Sequence, residues 1–244
     1  MSDLFSNPKE LEMIARIIRL YTRLPVSDEV IPGAFLEAAL AHVRRAKVLR
    51  TYDYIDVYSP GAQVGWSIKS TMAETPITWK RAKIENKRTL IEASHGSPEA
   101  LQHLGDTIIH FCNKHAEQSL EKYELNELGY ARLILFPDRS VVYFERSLCT
   151  RGKPQIFDQT EFRWTWSVEK NTKGKEQLSA LHGWHIPTNK RWWAWHGLGE
   201  NQLHFTGERS WWPSPTDAHA IRFSLPPTET KLSFDMLLGI LEQL

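Results

Sequence analysis

The feature that most restricts how this chain can fold is a strand, turn, strand pattern over residues 48–71. Two runs of alternating β-branched and aromatic residues flank Ser59-Pro60-Gly61, which is a turn sequence. Each run carries a charged residue, Asp56 or Lys69, where an apolar side chain would pack better. Because side chains alternate along a strand, Ser67 and Lys69 share one face, and antiparallel pairing brings Asp56 opposite them. The pattern therefore predicts a polar site on a hairpin.

The chemistry of these two charged residues suits phosphodiester hydrolysis. A carboxylate can bind Mg²⁺ through oxygen, and a lysine can orient a water molecule and stabilise charge on a phosphate oxygen. Simpler explanations stay open: Asp56 can cap the Pro-Gly turn, and Lys69 can extend its ammonium group into solvent.

Apolar residues at helical spacing predict helices around this hairpin. They cover residues 8–23, 34–47, 98–123 and 233–244. Ser97 is a suitable N-cap for the longest of them, because Pro98 follows it. We expect the segment 76–93 to be partly helical, and the runs 131–136 and 141–146 to form a hairpin around Pro-Asp-Arg-Ser.

Composition indicates an ordinary globular protein. Hydrophobic residues make up 41% and charged residues 24% of the chain. We find neither an apolar run long enough for a membrane span nor the basic-then-apolar pattern of a signal peptide, so a cytoplasmic location without membrane contact is expected. The two cysteines, Cys112 and Cys149, lack metal-ligand spacing and are expected to be reduced and structural.

The pattern around Asp56 and Lys69 resembles the PD-(D/E)xK nuclease superfamily, and within it the type II restriction endonucleases. The family motif is an aspartate at the end of one strand, then a turn, and then an acid, any residue and a lysine on the next strand. Asp56 matches the aspartate, Lys69 matches the lysine, and the predicted elements over residues 34–146 follow the order of the family core. Ser67 stands where the family has its second acid, so the strand has Ser-Ile-Lys.

The resemblance also implies further site residues. Family members with Ser-x-Lys can take a glutamate from the following helix, for which Glu85 is the candidate, with Glu74 and Glu92 as lesser ones. Glu37 matches a glutamate that some members supply from the preceding helix. The implied catalytic set is Asp56, Lys69, Ser67, Glu85 and Glu37, with Asp56 and Glu85 as ligands of Mg²⁺. Alternatively, Glu85 only forms exposed ion pairs with the lysines beside it.

Positive charge is concentrated in one part of the chain, although the formal net charge is only +1. Residues 44–88 contain ten Lys and Arg against four Asp and Glu, a difference of +6. Such a zone suits a cleft for a polyanion, and the alternative is a solvated face. The residues expected to contact DNA are Lys80, Arg81, Lys83, Lys87, Arg88, Asn189, Lys190 and Arg191. Asn86 and Arg209 are further candidates for contacts with base edges.

Eight of the ten tryptophans lie between residues 164 and 212, in a part of the chain that predicts short strands and loops. Most of them are expected to pack in the core. Those that could instead stack on bases or sugar rings are Trp192, Trp193, Trp195, Trp211 and Trp212. His182 and His185 could bind a metal, but two histidines without a third ligand are a weak signal.

Together these features predict an α/β (α+β) fold, in which helices flank a mixed β-sheet with a restriction-endonuclease-like core. We expect residues 1–150 to form that core and residues 151–244 to form a Trp-rich β and loop extension of the same compact body. The expected activity is Mg²⁺-dependent, sequence-specific cleavage of double-stranded DNA by a homodimer, because a C₂ dimer cuts both strands of a palindromic site most simply. Two alternatives stay open: a non-enzymatic binder of nucleic acid or carbohydrate that uses the Trp-rich half, and a nuclease fold that lost catalysis through Ser67.

Overall fold

The computed structural model describes residues 3–27, 30–168, 170–172 and 175–243, and for 170–172 and 175–177 it describes the backbone only. Within these ranges the helices are α1 (Pro8–Tyr21), α2 (Gly33–Val43), α3 (Lys87–Ser94), α4 (Pro98–Lys122) and α5 (Phe234–Leu241). The strands are β1 (Lys47–Val48), β2 (Val57–Ser59), β3 (Val64–Met72), β4 (Ile77–Arg81), β5 (Glu127–Leu135), β6 (Ser140–Thr150), β7 (Phe162–Trp166), β8 (Lys170–Thr172), β9 (Lys175–Gln177), β10 (Leu181–His185), β11 (Lys190–Trp195), β12 (Gln202–Phe205) and β13 (Ala220–Ser224). The predicted mixed α/β fold class is confirmed. None of the helices in the described ranges has the length and apolar character needed to cross a membrane.

The chain divides into two compact units that alternate along the sequence. The first unit comprises Met1–Thr75, Ser119–Gly152 and Pro213–Leu244, and the second comprises Pro76–Gln118 and Lys153–Trp212. The sequence predicts instead a single boundary near residue 150. Strand pairing explains the difference, because β13 joins the first sheet through β6, whereas β4 joins the second sheet through β12.

A mixed sheet of six strands forms the centre of the first unit, in the order β1-β2-β3-β5-β6-β13. Neighbouring strands are antiparallel except for β3 and β5, which are parallel. A parallel pair requires a long crossover connection. The chain between β3 and β5 provides it and contains β4, α3 and α4.

One face of this sheet packs against α1 and α2. Helix α1 begins with a capping box, in which the Asn7 side chain accepts from two backbone N–H groups and the Glu10 carboxylate accepts from the Asn7 N–H. The buried core includes Ile14, Ile18, Leu36, Leu40, Trp66, Ile68, Leu133 and Tyr143. Because Trp66 and Ile68 enter this core, the alternation of the strand directs Ser67 and Lys69 away from it.

A buried carboxylate ties the chain before α1 to the same sheet. Glu145 on β6 accepts hydrogen bonds from the Ser6 backbone N–H (2.6 Å), the Ser6 hydroxyl (2.7 Å) and the Tyr143 hydroxyl (2.6 Å). Burial raises the pKa of Glu145 above its usual value, while these donors act in the opposite direction. Because its acceptors are engaged by structural partners, we assign Glu145 a structural role.

The second unit is built on an antiparallel sheet of five strands in the order β4-β12-β11-β10-β7. Its core is aromatic: the rings of Trp193 and Phe205 stack with centroids 4.2 Å apart, and Trp79 meets Phe205 edge-on at 5.2 Å. Helix α4 approaches this core through Gly105. A Cβ atom at Gly105 would lie 2.1 Å from Cδ1 of Trp164, so the approach requires glycine.

Two predicted segments differ from the structure. Residues 48–58 form strand only at their ends, because the chain between β1 and β2 leaves the sheet where Asp53 accepts hydrogen bonds from Lys122 (2.8 Å) and Thr51 (2.7 Å). The segment 76–93 is partly helical as expected, because it contains α3, but it begins with strand β4, whose pairing partner β12 lies far along the chain.

Candidate active site

Asp56 lies directly before β2, where pairing between β2 and β3 ends. Its backbone N–H donates to the Trp66 carbonyl (2.8 Å), and its own carbonyl accepts from the Leu49 N–H (2.8 Å). The carboxylate oxygen Oδ2 accepts from the Ile68 N–H at 2.6 Å. The side chain is therefore directed across to β3, and it does not cap the Pro-Gly turn.

Lys69 completes a charged pair with Asp56. Its Nζ lies 3.8 Å from Oδ2 of Asp56, and the two side chains are 19% and 27% exposed, respectively. The ammonium group therefore stays near the carboxylate and is not extended into bulk solvent. A partly exposed ion pair at this distance contributes only about 0–1 kcal/mol to stability. Fold stability alone is thus a weak reason for placing both charges here.

Glu37, on α2, belongs to the same group of charges. Burial raises the pKa of Glu37 above its usual value, and the negative charge of Asp56 raises it further. The positive charges of Lys69 and Arg50 act in the opposite direction. Two carboxylates and two cations thus interact in the first unit, and Arg50 is the member that sequence patterns did not single out.

The β5 side of the site is closed by buried groups. Ser67 is only 3% exposed and pairs in register with Tyr130. No hydrogen bond joins the Ser67 hydroxyl to another of the described residues, so the expected bond within a metal shell stays a prediction. Arg132 pairs in register with Lys69, is fully buried, and donates to the Thr71 hydroxyl at 2.8 Å.

Glu37 and Asp56 carry carboxylate oxygens, which are the kind of ligand that Mg²⁺ prefers. Among the described residues there is no cluster of three or more His, Cys, Asp and Glu side chains suited to holding a metal ion. Mg²⁺ does not require such a cluster, because it is usually bound by one or two carboxylates together with water and phosphate oxygens. Repulsion between the two carboxylates, which contributes to the raised pKa of Glu37, is what a bound cation would relieve.

Glu85, the predicted second ligand, lies in the second unit. It is exposed in the turn between β4 and α3, and it lines a depression with Lys83, His110 and Lys114. Helix α3, expected to include Glu85, begins only at Lys87. The lesser candidates, Glu74 and Glu92, are exposed as well. Metal binding by Glu85 stays a prediction.

The predicted DNA contacts also lie in the second unit, and several have protein partners. Lys87 donates to the Gly197 carbonyl and to Asn201 Oδ1, both at 2.8 Å. Three other predicted DNA-binding residues also have protein partners: Arg81 lies 4.0 Å from Glu200, Asn189 is 2.9 Å from Arg163, and Arg191 is 3.3 Å from His182. Lys83, Arg88 and Lys190 are exposed, and Lys80 is half-buried. Lys87 is therefore the residue whose structural role is clearest.

The aromatic candidates separate by burial. Trp193 and Trp195 are 0% exposed, so they belong to the core and cannot stack on a base. Trp192 stacks on His185 with ring centroids 3.7 Å apart, and Trp211 and Trp212 are half-buried. His185 is buried against Trp192, whereas His182 contacts Arg191 on the opposite face of β10. The two histidines therefore do not form a metal site together.

Comparison of the chain with protein-family models, with curated proteins and with solved structures gave no match. The geometry and charge of the group formed by Glu37, Asp56 and Lys69 are therefore the basis on which a function can be assigned.

Proposed function

We propose that this chain is a Mg²⁺-dependent endonuclease of the PD-(D/E)xK type that cleaves double-stranded DNA at specific sequences, as type II restriction enzymes do. The observation that carries the proposal is the pair of Asp56 and Lys69, 3.8 Å apart at the end of the β2–β3 hairpin, with Glu37 close enough for both charges to shift its pKa. The order α2, β2, β3, α4, β5, with β3 and β5 parallel, supports it, because the resemblance implies the same order.

Asp56 and Glu37 would hold Mg²⁺ through their carboxylate oxygens. Oδ2 of Asp56 is engaged by Ile68 and Lys69, and none of the described residues donates a hydrogen bond to Oδ1, so Oδ1 can face a cation. The bound ion supplies Lewis acidity and lowers the pKa of its water. We prefer Glu37 to Glu85 as the second metal ligand, because Glu37 interacts electrostatically with Asp56 within the first unit.

Lys69 acts on the scissile phosphate and on the attacking water. Its ammonium group carries three N–H donors, and Asp56 at 3.8 Å does not engage them in a short hydrogen bond. These donors can orient a water molecule and stabilise the negative charge that develops on a phosphate oxygen. Arg50 and the buried Arg132 add positive charge near the carboxylates and beside Lys69, which favours a phosphodiester in the site.

The remaining expectations belong to the same proposal. Basic residues of the second unit would contact DNA phosphates and base edges, and a homodimer would cut both strands. A restriction-type enzyme of this kind would work in the cytoplasm.

Cleavage of plasmid DNA tests the proposal. Protein with Mg²⁺ should give discrete fragments, and the same reaction with EDTA should give none. Asp56→Asn keeps an oxygen that can accept from the Ile68 N–H but removes the charge, so cutting should be lost while the melting temperature is retained. Asp235→Asn, at an exposed position of α5, is the matched control and should cut normally. DNA binding without cutting under these conditions would instead favour the non-enzymatic binder.

A further inference from the structure

A row of side chains crosses the second sheet on the face opposite its aromatic core. Strand register places Thr78, His204, Ala194, His182 and Thr165 next to one another, one from each of the five strands. The residues that alternate with them, such as Trp193, Leu203 and Phe205, are buried. The face that carries this row is therefore not part of the aromatic core, and its depression has both apolar side chains, such as Val168 and Leu178, and polar ones.

One depression on this side of the sheet is lined by Arg191 and by the histidines His182, His196 and His204. We call the surface formed by these four side chains the histidine face. Nη1 of Arg191 lies 3.3 Å from Nε2 of His182, and the rings of His196 and His204 have centroids 5.1 Å apart. The described side chains that line this depression include no acidic residue. A guanidinium group and three imidazoles thus face the same space, and this set suits an anion.

The neighbours of His196 and His204 determine how these two imidazoles titrate. Burial, and then the charge of Arg191, lowers the pKa of His196, while burial, and then His196, lowers the pKa of His204. Nε2 of His204 also lies 3.1 Å from the Gln202 side chain. Of the described charged groups nearby, Glu200 lines the adjoining depression with His196 and His204, where it contacts Gln202 (2.8 Å) and Arg81 (4.0 Å).

An anion on this face would offset the charge of Arg191, which now disfavours protonation of His196. Binding and proton uptake are then linked, because the anion binds the protonated imidazoles more tightly. The affinity for the anion therefore rises as pH falls through the range in which the imidazoles gain protons. Each proton taken up on binding changes the dissociation constant by at most about tenfold per pH unit.

We propose that the histidine face binds phosphate groups of the DNA backbone, and that it binds them more tightly as pH falls. The choice of DNA as the source of the phosphate rests on the proposed function, while the anion site itself depends only on the charges of the second unit. The face thereby adds a pH-dependent contribution to DNA binding, separate from the chemistry of Asp56 and Lys69.

The test measures anisotropy of a labelled DNA duplex with the full-length Asp56→Asn protein in EDTA, at about pH 5 and about pH 8, because the lowered pKa values of His196 and His204 place their protonation below the ordinary histidine range. The parent protein should bind roughly tenfold more tightly at the lower pH. Replacing His182, His196 and His204 together by Gln should remove most of this difference. The matched control His103→Gln, at an exposed position of α4, should keep it.

Arg191→Met should weaken binding at both pH values and reduce the magnitude of the slope of log K against log salt by about one, which corresponds to one lost phosphate contact. Arg16→Met, at an exposed position of α1, should change neither the affinity nor the slope. Unchanged affinity, slope and pH dependence in folded Arg191→Met and histidine variants would overturn the inference. His204→Gln alone is the fallback if the triple variant does not fold. If the wild-type protein cuts DNA but the Arg191 and histidine variants bind DNA as the parent does, only the inference about the histidine face is rejected. If DNA binds through the histidine face but the wild-type protein does not cut it, only the proposed nuclease activity is rejected.

Discussion

The substitution Gly105→Ala has two opposing effects on the stability of the second unit: it favours the helix, and it disturbs the packing of the core. In the interior of α4, alanine in place of glycine favours the helix by about 1 kcal/mol. The new Cβ would lie 2.1 Å from Trp164 Cδ1, whereas carbon atoms in contact prefer about 3.5–4.0 Å. Trp164 has little room to retreat, because it is only 5% exposed and its ring already lies against Gly183.

Forcing an extra carbon into a packed core costs about 1–3 kcal/mol, and the tight surroundings of Trp164 favour the upper part of that range. We therefore expect Gly105→Ala to destabilise the second unit by about 1–2 kcal/mol, which lowers the melting temperature by roughly 2–8 °C. Tryptophan fluorescence is a suitable assay, because nine of the ten tryptophans lie in that unit.

Gly239→Ala in α5 is the control, because a Cβ atom at Gly239 would meet open space within 4 Å and only helix propensity acts there. It should leave stability unchanged or increase it by up to about 1 kcal/mol. If Gly105→Ala stabilises the protein as much as Gly239→Ala does, the close approach of α4 to Trp164 is refuted.

Two further predictions concern charged residues. The pKa of Glu37 should fall in Asp56→Asn, which removes a negative neighbour, and rise in Lys69→Met, which removes a positive one. Carboxyl NMR titration measures both shifts. If the two shifts have the same sign, the electrostatic coupling between these residues is contradicted. Lys87→Met should lower the free energy of unfolding by about 1–3 kcal/mol, because it leaves two carbonyl oxygens without their charged donor. Exposed Arg88→Met should change it by less than about 0.5 kcal/mol; equal values from urea denaturation would exclude a structural role for Lys87.

Local signals predicted the helices well. Ser97 caps α4 by accepting from the Ala100 N–H at 3.1 Å, and α4 spans Pro98–Lys122, close to the predicted 98–123. Both the cap and the apolar spacing act within a few residues, so they can be recognised in the sequence. Strand β4 could not be recognised in this way, because its partner β12 lies more than a hundred residues further along the chain.

The site was predictable to the extent that it depends on local strand geometry. The spacing of Asp56 and Lys69 around a turn brought them together, as their 3.8 Å separation shows. Arg50 and the histidine face were missed, because recognising them requires knowing how α2 lies beside the first sheet and how β10, β11 and β12 pair. Trp193 and Trp195 show the converse, since their position beside charged residues in the sequence gave no indication that both are fully buried.

The single-turnover rate of DNA cleavage by Lys69→Met with saturating Mg²⁺ tests whether Lys69 takes part in catalysis. We expect the rate to fall at least about a hundredfold with retained DNA binding, because the ammonium group acts on the reacting phosphate and water. Lys47→Met, at an exposed position on the same sheet, should cleave at the wild-type rate. If the Lys69→Met protein cleaves DNA as fast as the Lys47→Met protein, Lys69 has no catalytic role and the proposed active site is wrong.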